Sequence, residues 1–278
     1  MMLKFASAAL ALPFLASLVA PATPTRDTRF AYAPGSHRYR LTTVIERTQA
    51  QAGGRAPFEF QTTTTQLVTV GLAPHSRDTL RFTVTLDSVN VSSTLAAPAP
   101  NLDRFRGITI TGTISPQGKV YGFQPATNAG DAETADLYHA LDEAFSRFFV
   151  EFPPRPLAVG SEWSDSSTER AQRNGFDVTT TTVTTTKLVG DTTVAGKHAW
   201  NVSRTSTLAT TGQKTEAGEP IHLDGDGTIS GVHFVSDDGV YLGSHSTQRI
   251  NLTLDAAGGA GQQAPIRQTI TSTVELVR

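Results

Sequence analysis

The stretch that decides the fold runs from Phe148 to Asp165 and reads Phe-Phe-Val-Glu-Phe-Pro-Pro-Arg-Pro-Leu-Ala-Val-Gly-Ser-Glu-Trp-Ser-Asp. An amphipathic segment leads into it, three prolines interrupt it, and a tryptophan follows them. Proline lacks a backbone N–H, and its ring clashes with the preceding helical turn, so the prolines end any helix that reaches them. The stretch therefore predicts a Pro-rich hinge at residues 151–160 between two halves of the chain.

Upstream of the hinge, residues 134–150 have the pattern of an amphipathic helix. Apolar side chains recur at spacings of three and four, at Leu137, Leu141, Ala144, Phe145 and Phe148. Acidic residues lie near the start of the segment and Arg147 lies near its end, an order that suits the helix dipole. We expect one helix here, with its apolar stripe packed on a sheet.

The remaining sequence alternates between apolar and polar residues, which predicts half-buried strands on both sides of the hinge. One such set is Leu80, Phe82, Val84 and Leu86. Beyond it the alternation changes phase, which predicts a β-bulge or a bend near Asp87-Ser88. Glycine and proline predict turns within Gly71–Asp78 and at Gly190–Asp191, and a polar loop over Gly212–Pro220.

The two halves resemble each other. Each has long strands, then a proline-containing loop, then a Ser-x-x-Gly turn followed by Val-Tyr, so that Ser115–Tyr121 resembles Ser236–Tyr241 with one residue of slack. Duplication explains this similarity, and so does convergence, because any antiparallel meander needs glycine turns. We expect a single β-rich domain over 36–278, made of related halves at 36–124 and 161–278.

Taken together, these patterns predict a mainly β fold built from long antiparallel meander sheets. Long strands twist, so the sheets should be curved. Either an incomplete barrel or two related half-sheets would satisfy the pattern, with the amphipathic helix packed on the sheet.

The N-terminal residues predict export. Lys4 precedes an apolar run from Phe5 to Val19, and small residues follow at Ala20–Ala22, so residues 1–22 have the pattern of a signal peptide. A membrane anchor is the alternative, but the run is shorter than the roughly 20 residues that span a bilayer. Residues 23–35 are interpreted as a leader. No later segment is apolar enough to span a membrane.

The chain contains no cysteine, which excludes disulfides, thiolate metal sites and a cysteine nucleophile. No lipidation cysteine follows the signal peptide either. We therefore expect an extracytoplasmic protein, periplasmic or secreted, that is soluble and not a lipoprotein.

Charge and motifs argue against several functions. With 23 basic and 25 acidic residues, the chain has no excess of positive charge for nucleic acid. It has no Gly-x-Ser-x-Gly, phosphate-binding loop or dinucleotide motif, so we expect no enzyme and no cofactor. His222, Asp224 and Asp226 would share one side of an extended chain, but the distal glutamate of a calcium loop is missing. We interpret them as a solvated turn, and expect no metal.

The hinge also carries a family resemblance. The segment from Phe149 to Trp163, with Phe152-Pro-Pro-Arg-Pro followed by Val159-Gly160 and Trp163, resembles a segment of uncharacterised secreted bacterial proteins and lipoproteins. The similarity covers most of residues 36–278 and implies no particular activity. The order of elements also looks like that of envelope proteins that carry lipids or lipoproteins in an incomplete β-barrel closed by helices. Any function taken from this likeness is an analogy.

The expected function is non-catalytic binding of a hydrophobic or amphipathic ligand, such as a lipid or another apolar small molecule, between sheet and helix. The predicted lining residues are Phe145, Phe148, Phe152, Trp163 and Trp200. For each of them a plain core role is the alternative. The second hypothesis is a structural or protein-interaction module of the cell envelope, with an envelope protein as partner. A large apolar cavity would favour the first, and a filled core with a flat exposed face the second.

Overall fold

A computed structural model describes residues 28–50, 56–95, 102–125, 141, 144–173, 175–216, 219–256 and 264–277. Within these ranges the chain forms eleven β-strands and a short 3-10 turn at Asp103–Phe105. The first five strands are β1 Gly35–Gln49, β2 Phe58–Ser76, β3 Thr79–Ser93, β4 Thr109–Ile114 and β5 Val120–Pro125. The other six are β6 Glu162–Arg173, β7 Phe176–Val194, β8 Lys197–Glu216, β9 Glu219–Ser236, β10 Tyr241–Ala256 and β11 Ala264–Val277.

All eleven strands belong to one antiparallel sheet with the order β5-β4-β3-β2-β1-β11-β10-β9-β8-β7-β6. Each half of the chain is a meander, and the halves join where β1 pairs with β11, from Arg38–Val277 to Gln49–Ile266. The mainly β meander fold is therefore confirmed. Because β1 and β11 pair along their length, the architecture is the incomplete barrel and not two separate half-sheets.

The sheet curves around an aromatic core. The ring of Phe149 lies 5.3 Å from that of Phe82 on β3 and 6.0 Å from that of Tyr241 on β10. These strands are four positions apart in the sheet, so one side chain reaches both only because the sheet bends round it. The most deeply buried apolar side chains of the strands include Val68, Phe82, Leu86, Ile114, Leu188 and Val202.

The hinge lies between the two outer strands, β5 and β6, which form no strand pair with each other in the described chain. The Phe152 N–H donates to the Gln117 carbonyl in the β4–β5 turn at 2.8 Å. Trp163 Nε1 on β6 donates to the Glu151 carbonyl at 2.9 Å. The hinge is therefore tied to both sides of the opening.

The helix predicted at 134–150 falls partly outside the described residues, which omit 134–140 and 142–143. Leu141 and residues 144–146 are helical, and Leu141 and Phe145 are fully buried in the core. In the part of the chain that the structure describes, no helix combines the length and apolarity needed to cross a membrane.

Residues 28–34, which belong to the segment interpreted from sequence as a leader, pack on one end of the barrel. Thr28 forms a β-bridge with Leu157 of the hinge. The Tyr32 N–H donates to the Pro116 carbonyl at 2.7 Å. This segment adds two buried aromatic side chains to the core, Phe30 and Tyr32.

The two Ser-x-x-Gly turns have matching hydrogen bonds. The Gly118 N–H donates to the Ser115 carbonyl, and the Gly239 N–H to the Ser236 carbonyl, both at 3.0 Å. The Gly239 carbonyl also accepts a hydrogen bond from the Ala33 N–H at 3.1 Å. A Ser-x-x-Gly turn forms the hydrogen bond between its glycine N–H and its serine carbonyl whatever its origin. Duplication and convergence therefore both still explain the similarity of the halves.

Of the bulge or bend predicted near Asp87-Ser88, the structure has the bulge, because Leu67 pairs with Ser88 while Val68 pairs with Leu86. Asp87 is thus the extra residue on β3. Its carboxylate accepts hydrogen bonds from Arg38 Nε and Thr69 Oγ1, both at 2.9 Å. A bulge of this kind bends the strand that carries it.

The turn predicted within Gly71–Asp78 is confined to Arg77–Asp78, because β2 continues to Ser76. The turn predicted at Gly190–Asp191 is wrong, because β7 continues to Val194. Register shifts at Pro74/Ser76 and Leu188/Gly190 absorb the proline and the glycine within the strands. The predicted loop over Gly212–Pro220 is likewise mostly strand, since β8 extends to Glu216 and β9 begins at Glu219.

Candidate ligand-binding site

The concave face of the sheet holds two adjoining cavities, one of about 300 Å³ and one of about 350 Å³. Arg147, Thr182 and Gln248 line both, so the cavities are continuous. We call the first the polar cavity, the second the aliphatic cavity, and the two together the trough. Side chains of β1, β6, β7, β8, β9, β10 and β11 form its walls. The helical residue Ala144, with Arg147 and Phe148, borders the polar cavity.

Alternation along the strands produces the wall of the aliphatic cavity. Leu252 on β10 pairs directly with Ile266 on β11, and Ile250 pairs with Gln268. Direct partners on antiparallel strands project to the same face. The apolar side chains that line this cavity include Phe176, Val178, Leu208, Ile250, Leu252 and Ile266.

Gly227 leaves space for Leu208 in the wall of the aliphatic cavity. Gly227 on β9 pairs with Leu208, and a Cβ at this position would lie 3.1 Å from Leu208 Cδ1 and 2.6 Å from the Arg249 carbonyl oxygen. A larger residue would therefore push the neighbouring strand or Leu208 aside.

Hydroxyl groups line the polar cavity in two neighbouring rows. In the first row, Thr184 Oγ1 on β7 and Ser206 Oγ on β8 lie 2.8 Å apart and share a hydrogen bond. The second row is in register with Arg204 of β8 and Gly231 of β9. It continues across β10, β11 and β1 through Ser246, Ser272 and Thr43.

Arg204 places a positive charge in the polar cavity. It lies on β8 between Thr186 of β7 and Gly231 of β9, and its side chain is half-buried. No described residue forms an ion pair or a hydrogen bond with its guanidinium group. Burial, followed by the charge of Arg147, lowers the pKa of Arg204, but an arginine stays protonated at neutral pH.

Arg147 lines the trough from the hinge side. Its Nη2 lies 3.8 Å from Glu169 Oε2 on β6. Both side chains are more than 40% exposed, so this ion pair contributes little stability.

His233 lines the polar cavity as a neutral group. Its Nδ1 lies 3.1 Å from the hydroxyl of Tyr241, and the ring is buried. Burial, with a smaller contribution from Arg204, lowers the pKa of His233 to about 3. Its imidazole is therefore uncharged at neutral pH, and Arg147 and Arg204 supply the positive charge of this cavity.

The aromatic residues predicted as ligand-lining occupy different places. Phe148 lines the polar cavity and packs 4.8 Å from Tyr241. Phe145 lies in the core, 6.1 Å from Phe82, and Phe152 stacks on Phe30 at 4.4 Å. Phe145 and Phe152 thus have the core role that was their alternative.

The two tryptophans do not line the trough itself. Trp163 and Phe152 line an opening of about 720 Å³ between β5 and β6. This opening shares lining residues with the polar cavity, among them Arg147, Asp165 and Arg204. Trp200 packs edge-on against Phe30 at 5.8 Å and donates its Nε1–H to Asp237 Oδ1 at 2.7 Å.

The sequence prediction missed the charged and hydroxyl-bearing lining of the trough. A signal for it was present, because Val202, Arg204, Ser206 and Leu208 occupy alternate positions of one strand and so share a face. This spacing places Arg204 among inward-facing apolar residues, which indicates a positive charge on the concave face.

His222, Asp224 and Asp226 are exposed on the outer face of β9 and do not form a turn. Across the described ranges, no group of three or more His, Asp or Glu side chains is placed to hold a metal ion.

No protein-family model and no curated protein matches this chain. Among solved structures, a lipovitellin chain from a study of lipid–protein interactions has 10% identity and a TM-score of 0.45 over 89% of this chain. The match covers 25% of that lipovitellin chain, so this protein spans about a quarter of its length. OccK2 (OpdF) of Pseudomonas aeruginosa has 8% identity and a TM-score of 0.31, covering 90% of this chain and all of that one.

An outer membrane channel from Pseudomonas putida F1 has 10% identity and a TM-score of 0.21, with 89% of this chain and 98% of that chain covered. Similarities this distant assign no function. The function is therefore inferred from the trough itself.

Proposed function

We propose that this chain is an exported, non-catalytic protein that binds an apolar or amphipathic small molecule in the trough. The observation that carries the proposal is the aliphatic cavity, which opens on the concave face of the sheet and continues into the polar cavity. Cavities of about 300 and 350 Å³ lie at the lower end of the range for small-molecule sites, roughly 300–1,000 Å³ each.

The two ends of the barrel are packed differently. Towards the hinge, Phe148 fills the space between Tyr39, 5.4 Å away, and Tyr241. In the aliphatic cavity, inward-facing Ile250 and Leu252 stay partly exposed. Covering apolar surface contributes about 25 cal/mol per Å², so a molecule that fills this cavity is stabilised by its contact with both side chains.

The polar groups of the trough suit binding better than catalysis. Thr184 and Ser206 bond to each other, and His233 is neutral and held by Tyr241. Catalysis by a serine would need a base hydrogen-bonded to its hydroxyl. These groups instead provide donors and acceptors that orient a bound molecule.

The alternative is a protein-interaction module that uses a sheet edge or a Thr-rich face. β6 is such an edge, but its exposed residues include Asp165, Glu169 and Arg170. Charged side chains of this kind oppose the addition of another strand. The charge pattern of β6 therefore argues against the use of this edge.

The proposal is tested by titrating the purified chain with the apolar fluorescent probe N-phenyl-1-naphthylamine. We expect saturable binding that falls at least tenfold in Ile250→Trp, where the indole fills the aliphatic cavity. Asn251→Trp is the matched control, because Asn251 is exposed on the opposite face of the same strand. Absence of binding, or equal binding by both variants, would reject the trough as the site.

A further inference from the structure

We propose that the bound molecule is an anionic amphiphile, a long acyl chain with a carboxylate or phosphate head group. Arg204 binds the head group, Arg147 adds a second positive charge, and the chain lies in the aliphatic cavity. This inference rests on the proposed function, since it names the class of molecule that the trough binds.

The first support is the position of Arg204. It faces the cavity without an ion pair from any described residue, and the nearby charge of Arg147 opposes its own. Two like charges in a half-buried site are unfavourable until an anion lies between them. Arginine is suited to such an anion, because its planar fork of N–H groups matches a carboxylate or a phosphate.

The acidic groups near Arg204 do not form an ion pair with it. Asp165 and Glu151 weakly counter the lowering of its pKa, but neither carboxylate comes within ion-pair distance of the guanidinium group. Asp165 lines the polar cavity and is exposed. A ligand carboxylate or phosphate would therefore meet a guanidinium group that the described acidic residues have not neutralised.

The second support is the order of groups along the trough. Arg204 lies in the polar cavity, Leu208 faces the aliphatic cavity four residues further along β8, and Thr210 lines its continuation. Arg204 and Thr210 are six residues apart, roughly 20 Å at about 3.3 Å per residue. One lipid acyl chain occupies half of a hydrocarbon core about 30 Å thick, or ~15 Å. The trough is thus long enough to hold a single acyl chain.

Two hydroxyl groups lie beside Arg204 at the head-group end of the trough. Ser206 lies two residues from Arg204 on the same face of β8, and Thr184 lies beside it on β7. Hydroxyls donate to carboxylate and phosphate oxygens, so both can bind a head group that Arg204 holds. A cationic head group at this position would instead lie beside Arg204, whose charge no described acidic residue pairs with.

The test compares four compounds with the same dodecyl chain: dodecanoate, dodecyl phosphate, dodecanol and dodecyltrimethylammonium. Each displaces N-phenyl-1-naphthylamine from the full chain at concentrations below micelle formation. We expect the two anions to bind at least tenfold more tightly than dodecanol, and the cation to bind most weakly. In Arg204→Met this preference should fall to less than threefold, whereas Arg249→Met, on the exposed outer face of β10, should keep it.

A second variant tests the inference even if Arg204→Met does not fold. Asp165→Asn removes a negative charge from the polar cavity and should tighten binding of dodecanoate about twofold or more, with dodecanol unchanged. If it leaves both affinities unchanged, the charge of this cavity does not select the ligand and the inference fails.

The outcomes separate this inference from the proposed function. If dodecanol binds as tightly as dodecanoate and Ile250→Trp weakens both, the trough binds apolar chains and the anionic selectivity is wrong. If none of the four compounds binds, both proposals fail. If inorganic phosphate displaces the probe as well as dodecyl phosphate does, Arg204 belongs to a site for free anions, and the amphiphile is rejected.

Discussion

The phenolic oxygen of Tyr32 forms two hydrogen bonds with the backbone of Val150, a residue 118 positions later in the chain. It accepts from the Val150 N–H at 3.0 Å and donates to the Val150 carbonyl at 3.2 Å. Both residues are buried, and Val150 follows the helical residues that border the trough. The N-terminal segment 28–34 thereby fixes the position of the chain that separates the aromatic core from the polar cavity.

Tyr32→Phe should therefore destabilise the fold by about 2 kcal/mol, because it leaves a buried N–H and a buried carbonyl without their partner. Urea unfolding of the wild type and the variant measures this difference. Tyr121→Phe is the control, since the Tyr121 side chain is 58% exposed and should cost less than about 0.5 kcal/mol. Equal effects of both variants would show that the Tyr32 hydroxyl does not hold Val150.

Gly118→Ala should be strongly destabilising for two reasons, backbone strain and a steric clash, and a second variant separates them. Gly118 has a φ of +98°, and a Cβ there would lie 2.2 Å from the Val150 carbonyl oxygen. Gly160 has a similar φ of +89°, but a Cβ at that position would meet no other atom within 4 Å. We expect about 1 kcal/mol for Gly160→Ala from backbone strain alone and more than about 3 kcal/mol for Gly118→Ala.

Thermal or urea unfolding of the two alanine variants gives the comparison. If Gly118→Ala costs no more than Gly160→Ala, the β4–β5 turn does not pack against Val150 as described. The closure of the barrel by the hinge would then need a different explanation.

Buried His233 predicts how stability depends on pH. Its pKa in the folded chain is about 3, below the ordinary value of 6.5, so between these pH values the unfolded chain binds a proton that the folded chain does not. Stability from this residue is complete above about pH 7 and is lost as the pH falls from about 6.5 towards 3. Between about pH 7 and pH 4 the loss is about 3 kcal/mol.

Urea unfolding at about pH 7 and about pH 4 tests this prediction in His233→Gln, which removes the titrating group. The variant should lose about 3 kcal/mol less than the wild type over this interval. His75→Gln, at an exposed position, should lose as much as the wild type. An unchanged pH dependence in His233→Gln would mean that its imidazole is accessible to protons in the folded state.

Local patterns in the sequence predicted much of the fold. Alternation at Leu80, Phe82, Val84 and Leu86 indicated the strand, and its change of phase indicated the bulge at Asp87. The prolines after Phe152 indicated the hinge. The lengths of the strands were underestimated, because Pro74 and Gly190 lie at register shifts within strands and not in the turns that these residues usually indicate.

The joining of the two meanders was harder to predict, since it depends on pairing between distant parts of the chain. Nothing local in β1 indicates that Arg38 will pair with Val277, and this pairing turns two meanders into one sheet. The core role of Phe30 and Tyr32 was not predicted for the same reason. They lie in a short N-terminal segment, and their core contacts are with residues more than 100 positions away.

Of the residues predicted to line a ligand site, Phe148 lines the trough. Large aromatic side chains were chosen as lining, yet Phe145 and Phe152 pack in the core because aromatic rings bury the most apolar surface. The trough is lined by smaller residues such as Leu208 and Ile250, which leave space between them. Arg204 had a visible signal in its inward position on β8, but only the curved sheet brings it near Arg147.

Native mass spectrometry of the chain, purified from its own cells without detergent, tests the central claim most directly. We expect an additional mass that is lost on denaturation, that is reduced in Ile250→Trp, and that belongs to an acidic lipid. Asn251→Trp should retain it. A protein that carries no additional mass in the wild type, or an additional mass that Ile250→Trp leaves unchanged, would contradict the account of the trough as a ligand-binding site.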